Sequence, residues 1–123
     1  MQFLTPLGDV TFSIPDDWWE FSEVANCDFS AGGGYSPPAV GKFKIAELRD
    51  IAPPERATKE LSFRKYKLMP VLFAFASPEC ALPLVEVSDK DVAAPYKYRI
   101  VNGYHRYYAS VAVGYSKLPI LIK

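Results

Sequence analysis

Tyr98-Arg99-Ile100-Val101-Asn102-Gly103-Tyr104-His105-Arg106, followed by Ala109 and then Gly114, is the stretch on which the reading of this chain turns. Tyr96 to Val101 alternates aromatic or apolar residues with basic ones, which suits a strand. Asn102-Gly103 ends it, and Gly103 allows a tight reversal. Tyr104 to Val113 suits a helix with Tyr108, Ala109, Ala112 and Val113 near one face. Gly114 fits the left-handed stop after that helix. A helix that starts in this way presents backbone N–H groups and a partial positive charge at its first turn, where an anion is stabilised. His105 and Arg106 stand in that turn, although cations there are disfavoured unless an anion offsets them. Arg106 can grip phosphate with a two-pronged fork, and His105 can donate to an anion or move a proton. Asn-Gly is also the commonest two-residue hairpin signal, so a purely structural turn stands beside the anion site as an alternative.

Working outward, Leu82 to Val87 reads as the strand before this one, with Ser88 to Pro95 as the connecting turn. Leu118 to Ile122 reads as a strand after the helix. A hairpin, a helix and a further strand imply a mixed sheet of the α/β (α+β) class. Lys42 to Leu48 alternates as a half-exposed strand, and Arg49 to Glu55 leaves it by a turn. Glu55 to about Lys67 favours a helix, which Pro70 is expected to interrupt. Val71 to Ala76 is expected to form a separate short helix starting at Pro70. Upstream, Val10 to Ile14 reads as a short strand. Pro15-Asp16-Asp17 then opens a helix that carries Trp18, Trp19, Phe21 and Val24 to about Ala25. Ala31 to Pro38, with three successive glycines and a Pro-Pro pair, reads as a loop. It lacks the lysine and hydroxyl of a P-loop.

The whole chain has 123 residues, half of them apolar, enough for one domain that buries roughly two-thirds of its unfolded surface. Its composition excludes a disordered chain, and no apolar run reaches the ~18–20 residues of a membrane span. With no basic-then-apolar leader, a cytoplasmic location is expected and no membrane partner. Cys27, Cys80 and the single His105 lack the paired spacing of a zinc site, so no metal site is expected. Fourteen basic and fourteen acidic residues cancel, which argues against sequence-independent duplex DNA binding. The cancellation hides a segregation: residues 1–41 hold six acids and no base, whereas residues 92–123 hold five bases and no acid. The basic C-terminal segment is the one that carries the turn.

Tyr96 to Ile122, with Gly103-Tyr104-His105-Arg106 at its centre, resembles the ParB/sulfiredoxin family. Members have a strand, a Gly-x-x-Arg or Gly-x-His-Arg turn, a short Ala-bearing helix, a glycine and a strand with an apolar residue before Pro, here Leu118-Pro119. Leu82 to Val87 resembles the family's preceding strand, and Lys44 to Pro54 its opening strand and turn. The resemblance covers residues 42–123, and residues 1–41 are read as an N-terminal extension packed on that core. It implies phosphate binding, since ParB-like members bind or hydrolyse CTP, sulfiredoxin uses ATP and some members are small-molecule kinases. Gly103 would let the backbone approach phosphate, His105 and Arg106 would contact its oxygens, and Asn102 and Tyr104 would complete the turn. The implied cofactor is a nucleoside triphosphate with Mg2+. For phosphotransfer or nucleotide hydrolysis the catalytic candidates are His105 together with Glu47 and Asp50, and Glu55 flanks the same opening turn.

Two departures narrow the expectation. Tyr104 stands where sulfiredoxin has its catalytic cysteine, so sulfinic acid reduction by that route is not expected. The chain given stops at Lys123, short of the family's second nucleotide motif and helix-turn-helix, so site-specific DNA partitioning is not expected. Six of the eight tyrosines lie between Tyr96 and Tyr115. Tyr104 and Tyr107 are candidates to stack on a base, with packing as the plainer role. The alternatives to a nucleotide site are a non-enzymatic module that binds a protein partner or a second copy of itself, and a ParB-like nucleic-acid-processing protein.

Overall fold

The structure, a computed structural model, describes residues 1–8, 10–24, 43–54, 63, 65–76 and 83–123. The glycine loop at Ala31 to Pro38, both cysteines, Glu55 and most of the expected helix from Glu55 to Lys67 lie outside them. The elements run β1 (Gln2–Leu4), β2 (Thr11–Ser13), α1 (Asp16–Phe21), β3 (Lys44–Glu47), β4 (Ile51–Ala52), α2 (Lys65–Ala76), β5 (Val85–Ser88), β6 (Tyr98–Asn102), α3 (Tyr104–Val113) and β7 (Lys117–Ile122). A single 3-10 turn, Leu48–Asp50, joins β3 to β4.

β1 and β2 form a separate antiparallel pair, and the other strands make one mixed sheet ordered β3-β7-β5-β6-β4. β3 and β4 are thus the two outer strands, yet they are consecutive in the chain. In a flat sheet four strand spacings would separate them by roughly 19 Å. The link from Glu47 to Ile51 reaches about 15 Å fully stretched, and only about 8 Å as a 3-10 turn. The sheet must therefore curl until its outer strands approach each other. Lys44 on β3 confirms this: its Nζ donates to the Tyr98 hydroxyl on β6 at 3.1 Å, although β6 lies three places away in the strand order. Leu48 and Ile51, at the two ends of the link, are buried inside the curl.

The concave face holds Ala46, Val85, Val87, Tyr98, Leu118 and Ile120, all buried. α3 covers it with Tyr107, Tyr108 and Ala109, and α2 packs beside α3 through a core that includes Leu68, Leu72 and Phe75. The N-terminal hairpin and α1 add an aromatic group. Phe3 meets Phe12 and Trp19 at 5.4 and 5.3 Å between ring centres, and Phe12 meets Tyr108 at 4.8 Å.

The structure corrects the expectation at Pro70. Lys65 to Ala76 is one continuous helix with Pro70 inside it. Pro70 cannot donate to the Tyr66 carbonyl, a loss worth up to about 3 kcal/mol in a helix interior. Five residues of α2 (Leu68, Met69, Val71, Leu72 and Phe75) are buried, and their burial outweighs that loss. α1 is also shorter than expected and stops at Phe21, and β1 was not foreseen.

Leu48→Ala should lower the unfolding free energy by about 2–5 kcal/mol, because it leaves a cavity under the short link between the outer strands. Arg49→Ala, next to it, removes an exposed ion pair to Glu47 and should cost less than about 1 kcal/mol. Urea denaturation of both variants, followed by circular dichroism, tests the contrast.

Candidate functional site

The turn between β6 and α3 forms as its residues require. Gly103 caps α3 with φ 133° and ψ 29°, a backbone conformation that side chains resist. A Cβ at this position would also lie 2.8 Å from Val85 Cγ1 and 2.9 Å from Val85 Cγ2. Val85 is fully buried and branched at Cβ, so it has nowhere to turn. Only glycine satisfies both conditions here. The Tyr107 N–H donates to the Gly103 carbonyl at 2.9 Å and closes the first turn. Among the described residues no side chain caps this end, and no acid stands in the first turn. The backbone N–H groups of Tyr104, His105 and Arg106 lie outside the i→i−4 ladder at the positive end of the helix.

The turn opens onto a cleft of about 600 Å³, within the range of small-molecule sites. One wall is the end of β6 with the first turn of α3. The other is α2, through Tyr66, Lys67, Pro70 and Val71. Pro54, just after β4, closes a side. A bulge shapes the β6 wall. Glu86 on β5 pairs with Asn102 and Val87 with Ile100, so Val101 is an extra residue on β6. The bulge lets the consecutive residues Ile100 and Val101 both face the cleft.

Asn102, Gly103, Tyr104, His105 and Arg106 all line this cleft. Arg106 Nη1 donates to the carbonyls of Pro83 and Leu84 at 2.8 and 2.9 Å. Those bonds fix the guanidinium against the start of β5. Its Nε and Nη2 have no hydrogen-bond partner among the described residues, and no acid among them pairs with it. His105 is buried, with its ring 5.1 Å from Tyr104 and 5.9 Å from Phe63 between centres. The imidazole is thus packed among rings as well as bordering the cleft.

Glu47 and Asp50 are not brought to this cleft. Glu47 pairs with Arg49 at 2.7 Å and lines a different hollow with Val111 and Tyr115, at the far end of α3. Asp50 precedes Ile51, which sits opposite Tyr98 at the start of β6. Roughly 13 Å of strand separates that point from Asn102. There Asp50 accepts the Lys97 N–H through its carbonyl at 2.8 Å and faces the Lys97 ammonium at 3.7 Å. Tyr107, a candidate for stacking on a base, is fully buried and cannot do so. Tyr104 is partly buried against Phe63 and Tyr108.

Sequence reading missed Tyr66, Lys67 and Val101 as cleft residues. The basic Lys65-Tyr66-Lys67 run was a usable signal, but nothing local says that α2 folds against the turn.

No protein-family model and no curated protein matches the chain. Among solved structures, the C-terminally truncated chromosome-partitioning protein ParB from Caulobacter crescentus, complexed with CTP-γ-S, is similar with a TM-score of 0.51 and 20% sequence identity. The fold is ParB-like. The likeness covers 68% of this chain and 44% of that one, so it extends over less than half of the longer protein. Among the described residues, no helix is long and apolar enough to cross a membrane.

Gly103→Ala should destabilise the protein by about 2–5 kcal/mol, through backbone strain plus the collision with Val85. Gly114→Ala faces a comparable backbone problem (φ 91°) but meets no atom within 4 Å, so it should cost clearly less. Parallel denaturation curves check the difference.

Proposed function

We propose that the cleft at the Gly103 turn binds the phosphate chain of a nucleotide. The observation that carries this reading is the convergence on one cavity of the α3 N-terminus, the Arg106 guanidinium and Lys67, with no carboxylate among the described lining residues. Such a site is positive and already shaped, so an anion entering it meets no carboxylate among the described lining residues. The ParB-like fold supports it, because the similar ParB structure holds a CTP analogue.

In this reading Gly103 brings the backbone close to phosphate, and the first N–H groups of α3 donate to its oxygens. Arg106 supplies Nε and Nη2 while Nη1 keeps it anchored to β5. Lys67 approaches from α2 as a mobile point charge. Asn102 and Tyr104 flank the turn, and His105 supports it from the buried side. Magnesium finds no carboxylate among the described lining residues, so it would enter on the phosphates rather than in a protein-built site. Glu47 and Asp50 have no part in this proposal, which is one of binding and not of phosphoryl transfer.

Thermal or chemical denaturation with CTP, ATP and GTP, each with and without magnesium, tests it. A nucleotide at about 100 times its dissociation constant should add about 2.7 kcal/mol of stability. Lys67→Ala, at an exposed helix position, should reduce that gain without changing the stability of the free protein. Arg106→Ala should abolish the gain, and should also lower the free protein's stability by loosening the start of β5. No stabilisation by any of the three nucleotides would refute the proposal.

A further inference from the structure

Two breaches of local rules, on two different elements, meet at the same cleft. The first is Pro70, which stands inside α2 and removes a backbone hydrogen bond there. The burial of its neighbours explains why α2 survives that loss, but not why a proline occupies the position. Pro70 itself is exposed, so it adds nothing to the core that holds α2 in place. It lines the α2 wall of the cleft. The second breach is the bulge on β6. Val101 is the extra residue there, is 52% exposed, and lines the opposite wall. Bulges re-aim side chains beside binding sites, and a local rule broken without gain to the core is a mark of function. Both side chains are aliphatic and stiff, so a ligand that covers them removes apolar surface from water at little cost in rotamer freedom. Lys67 lies three residues before Pro70 and on the same side of α2. The apolar pair therefore adjoins the cationic end of the cleft at the Gly103 turn.

We infer that Pro70 and Val101 form an aliphatic slot that holds the base of the bound nucleotide by its faces. The inference rests on the nucleotide reading of the cleft. A flat heterocycle linked to a phosphate chain is the ligand that uses both ends of the cavity at once. Neither side chain has a hydrogen-bonding group, so the slot raises affinity for nucleotides over bare polyphosphate and does not choose among bases. Pro70 thus trades helix stability for a rigid apolar wall, and the bulge places Val101 on the other side of the ring.

Calorimetric titration of the full chain with CTP, ATP and inorganic tripolyphosphate separates the slot from the phosphate site. Pro70→Ala and Val101→Ala should each weaken nucleotide binding by roughly 3- to 30-fold and leave tripolyphosphate within about twofold of wild type. Thermal melts of the unliganded proteins add a second readout. Pro70→Ala restores a backbone donor in α2, so it should raise the melting temperature while it lowers nucleotide affinity. A proline kept for structure would show a fall in stability instead, and that result overturns the inference. So does unchanged nucleotide affinity in either variant, or wild-type protein that binds tripolyphosphate as tightly as nucleotide. Equal weakening of nucleotide and tripolyphosphate also overturns it, because the two residues would then act on the phosphate end. In all these cases the phosphate site itself stands. If wild type binds none of the three ligands, the nucleotide reading fails and this inference fails with it.

Discussion

Three residues, Leu48, Arg49 and Asp50, join the two outer strands of a five-stranded sheet, and the rest of the molecule conforms to that short link. The chain cannot cross a flat sheet of this width in so few residues, so the sheet rolls. Rolling has two benefits. It lets Leu48 and Ile51 plug the concave side, and it brings the two outer strands, whose edges would otherwise invite pairing with other chains, close together. It also brings Lys44 within reach of Tyr98, so that a polar contact spans strands that a flat sheet would hold apart.

The same curl organises the cleft. β4 is only two residues long, but its parallel pairing with β6 sets Pro54 beside the end of β6, where the turn into α3 begins. α3 fills the concave face and leaves its N-terminus at the rim. α2 then packs along α3 and supplies the second wall. Arg106 ties this arrangement together, because its hold on the carbonyls before β5 makes the guanidinium part of the scaffold as well as part of the site. The surface ion pairs contribute little by comparison: Arg49–Glu47 and Lys97–Asp50 are exposed on their basic partners and are screened by water.

Glu47 and Asp50 show how a sequence neighbourhood misleads. Glu47 precedes the link and Asp50 ends it, and the family resemblance made both of them candidates for chemistry at the phosphate turn. The link lies instead at the opposite end of the strands from Asn102, so one carboxylate ends at the far end of α3 and the other at the start of β6. Pro70 misleads in the other direction. A proline ends most helices, but here the apolar residues on both sides of it are needed in one core, and their burial keeps α2 continuous.

What the sequence determined by itself is the local framework of the turn. Gly103, the helix from Tyr104 to Val113 and the left-handed Gly114 follow from backbone rules that act within a few residues, and the alternation of β6 and the apolar run of β7 are equally local. The order of the strands, the roll of the sheet, the unbroken α2 and the bulge at Val101 were decided only in the folded state. Each depends on which distant apolar surfaces bury one another, and that sum involves residues from every part of the chain. Tyr66 and Lys67 became cleft residues for the same reason: their own stretch specifies a helix, but only packing against α3 specifies what that helix faces.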